Sequence, residues 1–162
     1  MKTKFLLLAT FCMITVAAKA QFSIGVCIAT MAFATTNSDK PVSHEQLPQT
    51  IKTFLTTHFS EEKMVRADKD WDGYDVVLTN GTELEFTSKG QWTEIQMRKE
   101  AVPESVLKLL PETLVSYIKQ TYPEKNIKKI ENKSYGYEIE LLGMRDFELK
   151  FDKKGKFLRI DD

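Results

Sequence analysis

The chain has 162 residues, 42% hydrophobic and 28% charged, a balance that supports one ordinary domain or two small ones and excludes a disordered chain. Its formal charge is zero, but Lys2, Lys4 and Lys19 fall within the first 34 residues, which hold no Asp or Glu; taking these three from 23 leaves 20 basic against 23 acidic side chains. A mildly acidic remainder argues against nucleic-acid binding, which needs a clustered basic surface.

The first 34 residues read as an export signal. Lys2 and Lys4 form a positive start, residues 5–18 an apolar stretch, and Ala18-Lys19-Ala20 a small-x-small cleavage site. A second apolar run, 22–34, ends in Ala32-Phe33-Ala34, the favoured site because polar sequence follows it. Residues 1–34 are therefore assigned to a signal peptide and 35–46 to a linker, with Ala20 the alternative end of the leader. Lys19, Gln21 and Ser23 interrupt the span that a single transmembrane anchor would need, so the mature chain is expected to carry no membrane span. Both cysteines, Cys12 and Cys27, lie in the leader, which leaves no disulfide or thiolate metal site after cleavage. Lipid attachment at Cys27 stays open as an alternative, although Val26 before it is unusual.

Downstream, Leu47, Ile51, Phe54, Leu55 and His58 fall at helical spacing, with Pro48 suited to a first turn. A strand over KMVRAD follows, then Asp68-Lys69-Asp70-Trp71-Asp72-Gly73. Tyr74, Val76 and Leu78 alternate with Asp75, Val77 and Thr79, Leu84 and Phe86 alternate with Glu83, Glu85 and Thr87, and Asn80-Gly81 between the two runs predicts a type I′ hairpin. Lys89-Gly90 marks the next reversal, into a strand holding Trp92 and Ile95. After a short helical segment at VPESVLKLL the pattern recurs. At an offset of 63, Leu110, Leu114, Tyr117 and Ile118 repeat the helix stripe, and Gly136-Tyr137, Ile139 and Leu141 repeat the first alternating strand. At an offset of 65, Phe151, Lys154-Gly155, Phe157 and Ile160 repeat the end, the shift coming from an insertion near Gly143-Met144-Arg145. The expected fold is α+β: two tandem helix-plus-four-strand repeats, 47–99 and 100–162, forming an antiparallel sheet of about eight strands with helices on one face.

The strings LPETLVSYIKQTYPEKNIKKI, GYEIEL and FDKKGKF resemble the PepSY-like proteins, exported proteins of Bacteroides-type bacteria described as β-lactamase-inhibitor-like. The first copy departs from the pattern at Ser60 and Thr87. The resemblance implies a curved sheet whose open face binds another protein in the periplasm or at the cell surface.

Catalysis is not expected. The mature chain has only His44 and His58, no cysteine and no recognisable nucleophile, base and orienter set. Two binding readings remain. Asp68, Asp70 and Asp72 have the D-x-D-x-D-G spacing that opens a calcium loop, but Thr79 stands where a bidentate Glu is needed, so a solvated turn competes with a weak calcium site completed by Glu83 or Glu85. Alternation also gathers Glu83, Glu85 and Glu94 with Asp75 on the sheet face away from the helices, mirrored by Glu138, Glu140 and Glu148. Trp92 and Phe157 share that alternation, and with Trp71 they are the expected aromatic anchors for an unidentified, ideally basic, periplasmic or surface protein.

Overall fold

The computed structural model describes residues 40–144 and 147–161. The chain divides into two units, residues 1–35 and 36–162, and all the described residues belong to the second. The signal peptide, both candidate cleavage sites, Cys12, Cys27, residues 35–39 of the linker and Arg145 lie outside the described residues.

Two ten-residue helices, α1 (Gln49–His58) and α3 (Glu112–Thr121), form where the apolar stripes predict them, with Pro48 and Pro111 at their N-caps. Each turns two apolar residues fully inward, Ile51 and Leu55 from α1, Leu114 and Ile118 from α3. Burial of each such side chain is worth about 2 kcal/mol. A short α2 (Glu104–Leu107) adds buried Val106, and Pro111 separates it from α3.

Nine strands form the rest: β1 (Lys40–Pro41), β2 (Met64–Lys69), β3 (Gly73–Leu78), β4 (Glu83–Thr87), β5 (Trp92–Gln96), β6 (Ile127–Asn132), β7 (Gly136–Leu141), β8 (Glu148–Asp152) and β9 (Phe157–Asp161). They lie in chain order in one antiparallel sheet. Val76, Leu78, Leu84, Phe86 and Ile95 from the first half and Ile130, Ile139, Leu141, Leu149 and Phe151 from the second join the helices in one core. The Asn80-Gly81 reversal is wider than a two-residue loop: Gly81 N–H donates to Leu78 C=O, Leu78 N–H donates to Thr82 C=O, and Gly81 takes a left-handed φ of 80° at the turn's end.

The expectation of two tandem helix-plus-four-strand units is corrected by this sheet. The fold is a single, sheet-dominated structure of nine strands and three short α-helices among the described residues, without a break into two units. β5 pairs with β6 through Glu94 with Glu131, Ile95 with Ile130 and Gln96 with Lys129. Separate units would leave both strands as open edges with unpaired backbone groups, and pairing them removes that cost. The ninth strand, Lys40–Pro41, comes from the segment read as linker and pairs with Asp68 and Lys69 of β2.

Candidate functional site

The sheet face opposite the helices carries ordered rows of charge. Asp68, Asp75, Glu85, Glu94, Glu131, Glu138, Lys150 and Arg159 are successive Cα partners across β2 to β9. Six carboxylates thus stand directly opposite one another before the first cation. Like charges in that position repel, by about 0.2–1 kcal/mol per pair. A second row runs parallel through Arg66, Val77, Glu83, Gln96, Lys129, Glu140, Glu148 and Asp161.

Cations neutralise these rows unevenly. Lys129 Nζ lies 3.2 Å from Glu94 and 2.6 Å from Glu131, and Lys133 also pairs with Glu131. Lys150 holds Glu138 at 2.6 Å and Asp161 at 2.9 Å, while Lys128 holds Glu140 at 3.2 Å. Glu148 is 3.9 Å from Lys150, and Tyr135 donates its hydroxyl to Glu138. Toward the other end, Asp68 pairs with Arg66 at 2.8 Å, and Glu83 and Glu85 have no ion pair among the described residues. The half expected to mirror the first is therefore neutralised, whereas Glu83 and Glu85 are exposed.

The titration of the row follows from this asymmetry. Although Glu85 is an exposed residue, partial desolvation of its carboxyl by the neighbouring strands, then the charges of Glu94, Asp75 and Glu131, push it above the usual glutamate range. Glu94 is also raised, chiefly by burial, against the pull of Lys129. Glu138 is lowered: burial opposes this, but the hydrogen bonds from Lys150 and Tyr135 prevail. A folded carboxyl that protonates more readily than its unfolded counterpart favours folding below the unfolded value, and loses that advantage as pH rises through the folded value. Glu85→Gln is accordingly expected to raise the melting temperature at pH 7 by about 1–4 °C and to give no gain near pH 4, measured by calorimetry at both pH values.

At the end of the row the β2–β3 turn contributes further carboxylates. Asp70 Oδ1 accepts the N–H of Asp72 at 3.1 Å and of Gly73 at 2.8 Å, which closes the turn and lowers the Asp70 pKa. The hydrogen bond to Asp70 raises that of Asp72. Asp70, Asp72, Asp75 and Glu85 line one depression of about 300 Å³, with Thr87 and Thr93. Glu85 lines the same depression as the turn carboxylates; Glu83 does not line it. Among the described residues no three His, Cys, Asp or Glu side chains are grouped to hold a metal ion. Asp68 pairs with Arg66, and Asp70 Oδ1 is engaged by the turn's own backbone. A larger depression of about 860 Å³ near Arg98, Lys128, Glu140 and Asp161 mixes both signs of charge.

The aromatic residues separate. Trp71, at the turn beside Asp70 and Asp72, is 85% exposed. Trp92 and Phe157 do not join the row, although simple alternation puts them with Glu94 and Arg159. A bulge makes Trp92 the partner of Phe86, and another makes Phe157 the partner of Phe151, which moves both rings to the helix side. Phe157 stacks on Tyr117 with centroids 4.8 Å apart, and Trp92 packs against the core. His58 lies against Phe54 at 4.6 Å and is lowered by burial, a packed histidine of α1. Sequence reasoning missed the neutralising lysines 129, 133 and 150, whose only signal is a lysine two residues from a glutamate on the same strand face.

Comparison with known proteins places the chain in a family. The model for "Putative beta-lactamase-inhibitor-like, PepSY-like" proteins matches residues 33–76 and 72–159. A comparison with curated proteins finds no match. Among solved structures, a Bacteroides vulgatus protein described as a "putative periplasmic protein" is 39% identical with a TM-score of 0.70, covering 78% of this chain and 99% of its own. A Bacteroides thetaiotaomicron protein described as a "putative calcium-regulated periplasmic protein" is 34% identical, with a TM-score of 0.69 and coverage of 76% and 97%. A second Bacteroides vulgatus protein, described as of unknown function, is 33% identical, with a TM-score of 0.70 and coverage of 76% and 99%. These likenesses agree with a periplasmic or secreted location, and among the described residues no helix is long and apolar enough to cross a membrane. On the extent of the match, the chain belongs to the β-lactamase-inhibitor-like, PepSY-like family.

Proposed function

We infer that the chain is a non-catalytic exported module that binds, and thereby inhibits or sequesters, a basic periplasmic or surface protein on the carboxylate row of its open sheet face. The supporting observation is the run of six opposed carboxylates, in which Arg66 meets Asp68 and lysines meet Glu94, Glu131 and Glu138, while Glu85, with Glu83 of the neighbouring row, has no ion pair among the described residues. A lysine or arginine entering the depression beside Asp70, Asp72, Asp75 and Glu85 relieves like-charge repulsion in the free protein. Trp71, exposed in the turn between Asp70 and Asp72, supplies an aromatic face near in sequence to these carboxylates. Glu94, Glu138, Glu140 and Glu148 then act mainly through their lysine partners, and Trp92 and Phe157 support the fold beneath.

Titration of the protein with an oligolysine peptide in a calorimeter tests this reading. Binding is expected to weaken with salt and to fall about tenfold in Glu85→Lys. Equal affinity in the wild type and Glu85→Lys, at equal melting temperatures, removes the row as the binding surface.

A second reading is favoured by one observation, the calcium regulation named for the Bacteroides thetaiotaomicron relative. In that reading calcium pulls Asp70 away from the N–H groups of Asp72 and Gly73 and gathers Asp68 and Asp72 around it. The same calorimeter decides: heat with calcium at about millimolar concentration, lost in Asp70→Asn, supports it, and no heat leaves the turn as structure alone.

A further inference from the structure

The two edges of the sheet are not equivalent. At one, β1 carries Lys40 and Pro41, and Val42 N–H donates to Ala67 C=O at 2.9 Å, so a lysine and a proline cover β2. Such residues are standard protection of an edge against further pairing. At the other edge β9, Phe-Leu-Arg-Ile-Asp, has neither lysine nor proline and exposes Leu158 by 48% and Ile160 by 44%.

The backbone of β9 is set up for one more strand. Its internal counterpart is β5, where Ile95 lies opposite Leu84 as Ile160 lies opposite Leu149. Ile95 pairs onward with Ile130 and Met97 N–H donates to Lys128 C=O at 2.9 Å, so alternate residues of β5 turn their backbone groups to β6. Ile160 holds the matching place on β9, and no tenth strand follows among the described residues.

The side chains of β9 select the occupant. Arg159 Nε pairs with Asp161 Oδ1 at 2.7 Å within the strand, on the face of the charged rows. If two copies of β9 run antiparallel about Ile160, Ile160 meets Ile160, Arg159 meets Asp161, and Asp161 meets Arg159. The two ion pairs then form a square of alternating charge, the arrangement that cross-strand pairing rewards. The two adjacent registers are disfavoured: centring on Arg159 opposes the two guanidinium groups, and centring on Asp161 opposes the two carboxylates.

We propose that β9 is a self-complementary edge at which two copies of this chain pair antiparallel about Ile160, extending the sheet across a two-fold axis. The contact uses one strand from each copy, so the dimer is weak and concentration-dependent, smaller than a standard stable interface. It places Lys150 and Arg159 of both copies at the centre and the two carboxylate rows on the flanks.

Sedimentation equilibrium of the exported protein from about 10 µM to about 1 mM tests the proposal. The wild type is expected to pass from monomer to dimer. Arg159→Asp sets carboxylate against carboxylate twice and should weaken association about tenfold. Adding Asp161→Arg to that variant restores the alternation and should restore dimerisation. Ile160→Lys should keep the chain monomeric, and melting temperatures verify that every variant is folded. A wild type monomeric throughout overturns the proposal. So does a folded double variant no better than Arg159→Asp, which would assign β9 to a different partner strand.

Discussion

Gly136→Ala is expected to lower stability by about 3 kcal/mol, read as a fall in the urea midpoint of about 1–2 M. Gly136 opens β7 opposite Asp152 of β8. A methyl group there would overlap the Phe151 carbonyl oxygen and stand 2.8 Å from Asp152 Cα. Those are backbone atoms of a paired strand, so no rotamer change removes the clash. Moving β8 aside would disturb Phe151, which is fully buried and edge-on to Tyr117 at 5.6 Å. Gly73→Ala meets the Phe86 carbonyl in the same way and should cost a similar amount. Gly143→Ala is the contrast. There the nearest atom is the flexible Lys125 Nζ at 3.4 Å, and only the left-handed φ of 76° opposes a side chain, for about 1 kcal/mol. Equal midpoints for Gly136→Ala and wild type would mean that β7 and β8 do not approach as described.

Lys129→Met is the second change expected to matter greatly, because one ammonium separates two facing carboxylates. Glu94 and Glu131 are direct partners across β5 and β6, and Glu131 is only 8% exposed. Burial alone would lower the Lys129 pKa, but the hydrogen bond to Glu131 and the charge of Glu94 raise it well above the ordinary lysine value. Methionine keeps the unbranched shape and most of the length of the side chain and removes the charge. Breaking a fully buried pair costs about 3–5 kcal/mol, and the partial exposure here brings the expectation to about 2 kcal/mol at pH 7. Glu94→Gln in the same chain should recover part of it, giving a coupling in a double-mutant cycle. The loss should also shrink toward pH 4, since the raised Glu94 carboxyl takes up its proton first on acidification and the repulsion then disappears. A loss independent of both Glu94 and pH would make Lys129 a packing residue only.

What the sequence reveals depends on whether a feature has a period. The stripe of Ile51, Leu55 and Phe54 repeats with the helix, and Val76, Leu78, Leu84 and Phe86 alternate with the strand, so these elements are legible in the sequence alone. β1 is two residues long and has no period to read. The joining of β5 to β6 depends on which edges meet, and alternation within a strand does not name its neighbours. Counting in twos puts Trp92 and Phe157 on the charged face, and one extra residue at each bulge changes the count. Among the candidate carboxylates, Glu83 and Glu85 retain the exposure that alternation assigns them. Glu138, Glu140 and Glu148 share it in part but meet lysines that only the register brings near. The D-x-D-x-D-G spacing is read equally well as a calcium loop or as a turn, since both need a carboxylate near the backbone before a glycine.

Recognition of a basic partner by the β2–β5 part of the charged row is tested most directly by an NMR titration of the exported protein with the oligolysine peptide, following backbone amides and glutamate side chains. Shifts are expected to concentrate at Asp70, Asp72, Asp75, Glu83 and Glu85, to be quenched by salt and to be absent in Glu85→Lys. Shifts confined to the α1 and α3 side of the sheet, or none at saturating peptide, would contradict recognition by the row.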